Sequence, residues 1–407
     1  METNVIYCGD CRKVMMNHIP DESVDLIYLD PPFFSNKKYE VIWGDGYEIR
    51  SFEDRWKGGI ENYRAWMEDK LRECHRVLKP TGSMYLHCDW HANAHLRILM
   101  DDIFGHNNFR NEIVWCYTIG GKSKKMFGRK HDTIFFYTKS NKWKFNGDAI
   151  TISRPKTHMK MRKDSKGKWY QEKTDKKTGK VYKYYVDKGK IPEDYWIDIE
   201  TINREAKERL GYPTQKPEPL LERIIKASSN RKNIVLDPMC GCGTAIAVAQ
   251  KLGRKWIGID VSPTACKLMV KRMKSIRIGK SKGKRVVDVK IIGLPKTLRE
   301  IKNMQPFIFQ NWVCEKLIAR PSRKKVGDMG IDGRLFDGTP IQVKQSEHVG
   351  RNVVDNFETA IRRERKKKGM IIAFSFGKGA YEEVARAKNK DGLDIELKTV
   401  KEIMDEV

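Results

Sequence analysis

No stretch of this 407-residue chain is apolar for the ~18 residues that a membrane-spanning helix needs, so no membrane partner is expected. The opening Met1-Glu2-Thr3-Asn4 lacks the charged and apolar segments of a secretory leader, and the expected compartment is the cytoplasm. Acid is in short supply: 53 Asp and Glu stand against 80 Lys and Arg, a formal charge of +27. Such an excess implies a polyanionic partner, nucleic acid before membrane. The nine cysteines form no framework. Cys8-x-x-Cys11 and Cys240-x-Cys242 lack a second pair at zinc-ribbon spacing, so they read as buried free thiols in a reducing cytosol. His87, Cys88, His91 and His95 crowd one stretch, where a metal site is the alternative reading. There are no internal repeats.

At this length two or three domains are expected. The first third alternates strand-like runs (Val5–Cys8, Val24–Leu29, Ser83–His87, Glu112–Tyr117, Thr133–Thr138) with amphipathic helices at Asn62–Leu78 and His91–Phe104. The alternation resumes at Pro217–Ser228 (helix), Ile234–Leu236 (strand), Thr244–Leu252 (helix), Trp256–Ile259 (strand) and Pro263–Met273 (helix). This predicts an α/β fold, a mostly parallel sheet with helices on both faces. Between the two blocks, residues 141–190 hold 16 Lys/Arg and 5 Asp/Glu interleaved with Trp143, Trp169, Tyr170, Tyr182, Tyr184 and Tyr185. Rings can stack on bases while cations meet phosphates, so this insertion reads as a nucleic-acid surface; a merely solvated loop is the alternative. Arg277–Arg299, with eight Lys/Arg and one acid, reads as a basic linker.

Two segments carry chemistry. Asp30-Pro31-Pro32-Phe33 ends the apolar run Val24–Leu29. Asp237-Pro238-Met239-Cys240-Gly241-Cys242-Gly243-Thr244 follows a short strand and opens a helix, a glycine-rich turn of the kind that lets backbone approach a ligand. It lacks the third glycine of a dinucleotide fingerprint, which lowers a nicotinamide reading. Trp256-Ile257-Gly258-Ile259-Asp260 then places an acid at a strand end, where a carboxylate can accept both hydroxyls of a ribose, and Asp10 can serve an adenine end.

In this order, and with Thr214-Gln215-Lys216-Pro217-x-x-Leu220-Leu221-x-Arg223-Ile224-Ile225 just upstream of the turn, these motifs resemble the permuted, beta-type DNA amino-methyltransferases, over roughly residues 3–275 without the insertion. The resemblance implies a class I, Rossmann-like methyltransferase sheet and S-adenosyl-L-methionine as cofactor. It implies cofactor contacts from Asp10, Lys216, Asp237, Pro238, Cys240, Gly241, Gly243, Thr244 and Asp260. Catalysis falls to Asp30, Pro31, Pro32 and Phe33. The exocyclic amine of a base is a poor nucleophile, its lone pair being delocalised into the ring. Asp30, with the Pro31 carbonyl, would accept hydrogen bonds from its two N–H groups, favouring a tetrahedral nitrogen; the prolines would stiffen the turn, and Phe33 would stack on the flipped base. Related enzymes acting on RNA or protein glutamine tend to carry Asn first, so Asp30 implies double-stranded DNA. Cytosine-N4 enzymes more often carry Ser, which favours adenine N6 and leaves cytosine N4 as the alternative. Methylation at cytosine C5 needs a cysteine nucleophile, usually in a Pro-Cys pair, and no such dipeptide exists here.

From about Asn303 a third module is expected, with a helix at Phe307–Ile318, a hairpin-like stretch at Ile331–Gln345, a helix near Val353–Arg365 and a strand at Met370–Phe374. Asp328-x-Gly330-x-Asp332-Gly333, then Gln342-Val343-Lys344, resembles the small α/β restriction-endonuclease fold in its Mrr-like form. That resemblance implies Mg²⁺ on Asp332 and Gln342, with Glu315 a further ligand and Lys344 as the nuclease-like catalytic residue. A retired nuclease that only grips DNA is one alternative; an active Mg²⁺-dependent one would make the chain a bifunctional restriction-modification enzyme. The expected domains are 1–140 with 212–276 (methyltransferase), 141–211 (target recognition), 277–302 (linker) and 303–407 (nuclease-like). Whether the chain is a monomer or a homodimer stays open.

Overall fold

The computed structural model describes the chain except residues 36–37, 43–47, 54–58, 119–123, 155–158, 204, 207, 209–214, 279–284, 287–288, 323–329 and 406–407. Thr214 and Asp328, quoted with the motifs above, lie outside the described residues, as does the expected boundary at 211/212. A nine-stranded sheet runs in the order Tyr195–Trp196, Phe109–Cys116, His131–Thr138, Leu78–Cys88, Val24–Leu29, Ile234–Asp237, Lys255–Asp260, Val5–Cys8, Lys290–Ile292. His131–Thr138 is antiparallel to both its neighbours and the other pairings are parallel, as the βα alternation predicted.

Both faces are covered. Helices Cys11–His18, Gly59–Val77 and Asn93–Phe104 bury Met15, Met67, Leu71, Leu96 and Met100 on one face. Glu218–Ser228, Thr244–Lys251 and Pro263–Ser275 bury Leu220, Ile224, Ile246, Val248, Met269 and Met273 on the other. Strands buried on both faces need near-continuous apolar runs, which is how Leu26-Ile27-Tyr28-Leu29 and Val235-Leu236 read.

The pairing at the centre of the sheet decides the rest. Val235 lies beside Leu26 and Leu236 beside Ile27, so segments some two hundred residues apart become parallel neighbours. From this pair the chain leads away in opposite directions, Val24–Leu29 to Leu78–Cys88 and Ile234–Asp237 to Lys255–Asp260. That is a topological switch point, and the crevice at the carboxyl ends of such strands is where open α/β sheets bind ligands.

The basic insertion folds into a three-stranded antiparallel sheet, Met161–Lys163, Trp169–Thr174 and Val181–Tyr185. Its ends dock on the body: Asn146 hydrogen-bonds Ala227 and Lys226, and Tyr195–Trp196 extends the main sheet. The expected basic linker is more than a linker. Lys290–Ile292 pairs with Val5–Cys8 as the ninth strand, and Leu298–Lys302 is a helix opened by a capping box, Thr297 with Glu300, that the reading as a linker passed over. Ile301 of that helix is already in the core of the last module. This module holds a sheet in the order Arg320–Pro321, Gly333–Arg334, Pro340–Val343, Lys368–Ala373, Asp394–Thr399, with helices Pro306–Lys316, Arg351–Arg363, Lys378–Asp391 and Val400–Asp405. It has its own apolar clusters, one around Phe309 and Trp312 and one around Phe357 and Ile371.

Candidate active site

Four adjacent parallel strands each deliver an aspartate to the same edge. Asp30 follows Val24–Leu29, Asp237 and Asp260 are the last residues of their strands, and Asp10 lies two residues beyond Val5–Cys8. At about 4.8 Å per strand the four span roughly 15 Å. All four line one cavity of about 190 Å³, shared with Pro31, Pro32, Phe33, Tyr28, Lys70, Lys216, Met239 and the glycine turn.

The glycine turn is held from below and behind. Gly241 and Gly243 take φ of +53° and +79°, a region that penalises any Cβ, and a Cβ on Gly243 would stand 2.8 Å from Met269 Cγ. Asp260 Oδ2 accepts from the Gly241 N–H at 2.8 Å and Oδ1 from Ser262 at 2.8 Å. Buried Arg272 donates to the Cys242 carbonyl (3.1 Å) and the Thr244 hydroxyl (3.0 Å), and is itself paired with Glu218 at 3.2 Å. Sequence reasoning missed Arg272, because no motif marks a residue that acts from the next helix. Asp10 caps the helix Cys11–His18 by accepting from Lys13 N.

Burial, then the charge of Asp30, pushes the Asp237 carboxyl well above its usual range. Burial also raises Asp260, to about 6, against the pull of its two backbone donors. An acid-lined crevice in a chain of net charge +27 suits a ligand that is cationic where it meets the carboxylates and offers hydroxyl donors. S-Adenosylmethionine, a sulfonium with a ribose, has that donor set.

On the other side of the crevice Lys216, 8% exposed, donates to Asp30 Oδ2 at 2.7 Å, and its ammonium lies 4.9 Å from the centroid of the Phe33 ring. Tyr63 OH donates to the Pro32 carbonyl at 2.7 Å, anchoring the turn. Phe33 stacks on His87, centroids 5.7 Å apart. His87 is wholly buried between Tyr28 OH at Nδ1 (2.8 Å) and Asp132 Oδ2 at Nε2 (3.0 Å), and Tyr117 OH also donates to Asp132, at 3.0 Å. Burial foremost, with Asp30, Asp237 and Asp132 adding to it, raises Tyr28 so that it stays neutral. Burial pushes the Asp132 carboxyl up, but its bonds to His87 and Tyr117 and the charge of Lys216 outweigh this and hold it down. The Asp132–His87–Tyr28 chain therefore props the Phe33 ring.

This gives the histidine stretch a different role from metal binding. His91 pairs with Asp89 at 2.8 Å, and among the described residues no metal-ligating cluster includes His87, Cys88, His91 or His95. All nine cysteines are free, and all but Cys116 are buried.

In the last module Asp332, Gln342 and Lys344 meet on the hairpin. Asp332 Oδ2 accepts from Val343 N at 2.7 Å, between Gln342 and Lys344, which point to one face of the strand. Gln342 is 3% exposed, and its Oε1 has no hydrogen-bond partner. Glu315 does not join them. Its carboxylate accepts from Thr264 Oγ1 (2.7 Å) and pairs with Lys267, both on the methyltransferase side. The reason is helical phase: Gln310, five residues earlier and about 140° around the helix, is the side chain that reaches the Asp332 carbonyl, at 2.9 Å.

The fold and site define an α/β methyltransferase with a cofactor turn and a catalytic turn on adjacent strands. Comparison with known proteins agrees. Residues 24–271 match a family model described as DNA methylase, of the N6/N4 type, and residues 301–406 match one described as restriction endonuclease, of the Mrr catalytic type. The chain is 32% identical over 274 residues to the DNA adenine methyltransferase YhdJ of Escherichia coli (strain K12), covering 67% of this chain and 83% of that protein. It is 32% identical over 266 residues to the type II methyltransferase M.BglII of Bacillus subtilis, covering 63% and 65%. Among solved structures it is similar to the PvuII DNA methyltransferase (cytosine-N4-specific), at 17% identity and TM-score 0.47 over 68% of this chain and 91% of that one. The chain belongs to the N6/N4 DNA methylase family, whose methyl donor is S-adenosylmethionine, and carries a C-terminal domain of the Mrr type.

Proposed function

We propose that the protein methylates the exocyclic N6 of adenine at a specific site in double-stranded DNA. The observation that carries this reading is the adjacency of Asp30 and the glycine turn on one cavity. A bound cofactor supplies an electrophilic methyl group at that cavity. Asp30 accepts a hydrogen bond from one N–H of the amine, displacing the Lys216 ammonium from Oδ2, and takes that one proton as the methyl arrives; Lys216 keeps a counter-charge beside the turn. Tyr63 commits the Pro32 carbonyl to the scaffold, which leaves the Pro31 carbonyl to accept a hydrogen bond from the second N–H, which the product keeps. Phe33, braced by His87, stacks on the flipped base, and the contacts in the pocket offset the few kcal/mol of unstacking. Asp237, Asp260 and Asp10 hold the cofactor along the edge, with Pro238, Cys240, Gly241, Gly243 and Thr244 shaping its seat.

Adenine is favoured by Asp at the first motif position and by a relative named as an adenine methyltransferase. In this reading 1–140 with 212–276 form the catalytic body, and 141–211 supplies target recognition; 277–302 joins it to the nuclease-like domain, 303–407. The test is sequencing of DNA, with detection of modified bases, from cells expressing the protein or its Asp30→Ala variant. N6-methyladenine at one sequence, absent with the variant, is expected; N4-methylcytosine there would transfer the assignment to cytosine.

A second activity is favoured by the orphaned Gln342 oxygen. Gln342 and Asp332 adjoin the paired residues Ile341 and Gly333 on the two strands of the hairpin, and amide and carboxylate oxygens are the hard ligands Mg²⁺ prefers. We infer that this pair holds Mg²⁺ with Lys344 next to it, and that the domain cuts DNA.

A further inference from the structure

Residues 124–130, between the strands that end at Cys116 and begin at His131, are absorbed by none of these roles, yet both strand ends lie at the same edge. Cys116 pairs with His131, Thr133 with Cys88, and Leu86 with Leu29, so the end of one strand and the start of the next flank the carboxyl end that presents Asp30. Two links tie the loop to the site. Arg129 lies 3.5 Å over the Trp90 ring, and Asp132, just past the loop, holds the histidine on which Phe33 stacks. No acid occurs between Glu112 and Asp132, while Lys124, Lys125, Arg129 and Lys130 all fall there. In the middle of these cations stand Met126, 59% exposed, and Phe127, 98% exposed. Phe127 is the most exposed large apolar side chain among the described residues, and it forfeits the burial a phenylalanine usually gains.

A bare aromatic ring among cations, carried at the sheet edge that presents Asp30, fits duplex DNA better than a protein face. Turning a base out leaves a gap in the stack, and apolar side chains fill such gaps. We propose that Phe127 is the wedge that enters the duplex and occupies the space left by the target base as it turns toward Asp30. The cations on either side clamp the flanking phosphates, and the Asp132–His87 link ties the position of the wedge to that of the ring receiving the base.

The inference rests on the methyltransferase reading, whose mapped site supplies the substrate. Single-turnover methylation is measured on an oligonucleotide duplex with that site intact, and on one in which the target base faces an abasic position, where flipping is already cheap. Phe127→Ala is expected to slow the intact duplex by about ten- to a hundredfold and to leave the abasic duplex close to wild type, with Phe127→Leu between. Equal loss on both duplexes, or none on either, overturns the wedge. So does a Phe127→Ala variant whose mass in light scattering is half that of wild type, which would make the ring a contact between two copies. Failure of wild type on the intact duplex would instead count against the methyltransferase reading.

Discussion

Asp260 ends its strand with both carboxylate oxygens already serving backbone donors, Gly241 and Ser262, and each oxygen keeps a lone pair, which in the proposed role takes a ribose hydroxyl. Because burial raises this carboxyl to about 6, the acceptor is ionised at neutral pH and protonated in mild acid. Ribose hydroxyls prefer the carboxylate, so binding drives the proton off and affinity falls as the pH drops through 6. Calorimetry should find S-adenosylmethionine bound roughly three- to tenfold more weakly at about pH 5.5 than at about pH 7.5. Asp260→Ala should lose about 1–3 kcal/mol of binding at neutral pH and flatten the profile. A profile identical in the variant and the wild type would mean that another group holds the ribose.

The insertion shows how one element converts composition into a surface. Asp164 and Asp175 cap its two turns by accepting from Lys166, Lys168, Lys177 and Thr178, so the few acids present fold the sheet. The cations lie over rings: Lys163 over Trp169 at 4.7 Å, Lys180 over Tyr182 at 5.3 Å, Lys183 over Tyr170 at 5.0 Å. Trp169 and Tyr182 stay exposed. In the proposed role as target-recognition surface, this pre-arranges charge and stacking area for DNA. Replacing Lys163, Lys180, Lys183 and Lys188 by Gln should weaken DNA binding at all sequences and reduce the salt slope by about one unit for each phosphate that the variant no longer neutralises. Affinity and slope both unchanged, in a titration across salt concentrations, would move recognition to another element. The basic and aromatic composition of this element was readable from the chain. Its three-stranded register was not, because alternation is weak where neither face is deeply buried.

Across the whole molecule the nuclease-like domain is tied to the methyltransferase body at the helix that follows Asp260. Thr264 and Lys267 of that helix grip Glu315, and Gln305, at the start of the opposing helix, reaches the rim of the cofactor cavity. An enzyme that modifies and cuts is safe only if cutting discriminates, so cleavage should depend on the methylation state of its DNA. With Mg²⁺ present, wild type is expected to linearise or nick one of two plasmid preparations, unmethylated or fully methylated, and Lys344→Ala to lose that cleavage while still methylating. If neither plasmid is cut by protein that methylates normally, the domain is a DNA clamp.

The local sequence was enough for the chemistry of each strand end and the two turns. Apolar runs followed by Asp, Pro or Gly state their own structure through backbone restriction and burial. The hairpin around Asp332 was legible for the same reason. What required the folded chain was adjacency. Only the pairing of Val24–Leu29 with Ile234–Asp237 brings Asp30 to the glycine turn, and only the antiparallel run through His131–Thr138 sets Asp132 behind His87. Helical phase decided that Gln310, and not Glu315, faces Asp332. Short-range sterics are written residue by residue, whereas contacts across 45 to some two hundred positions depend on which apolar faces pack first against which, a property of the whole core.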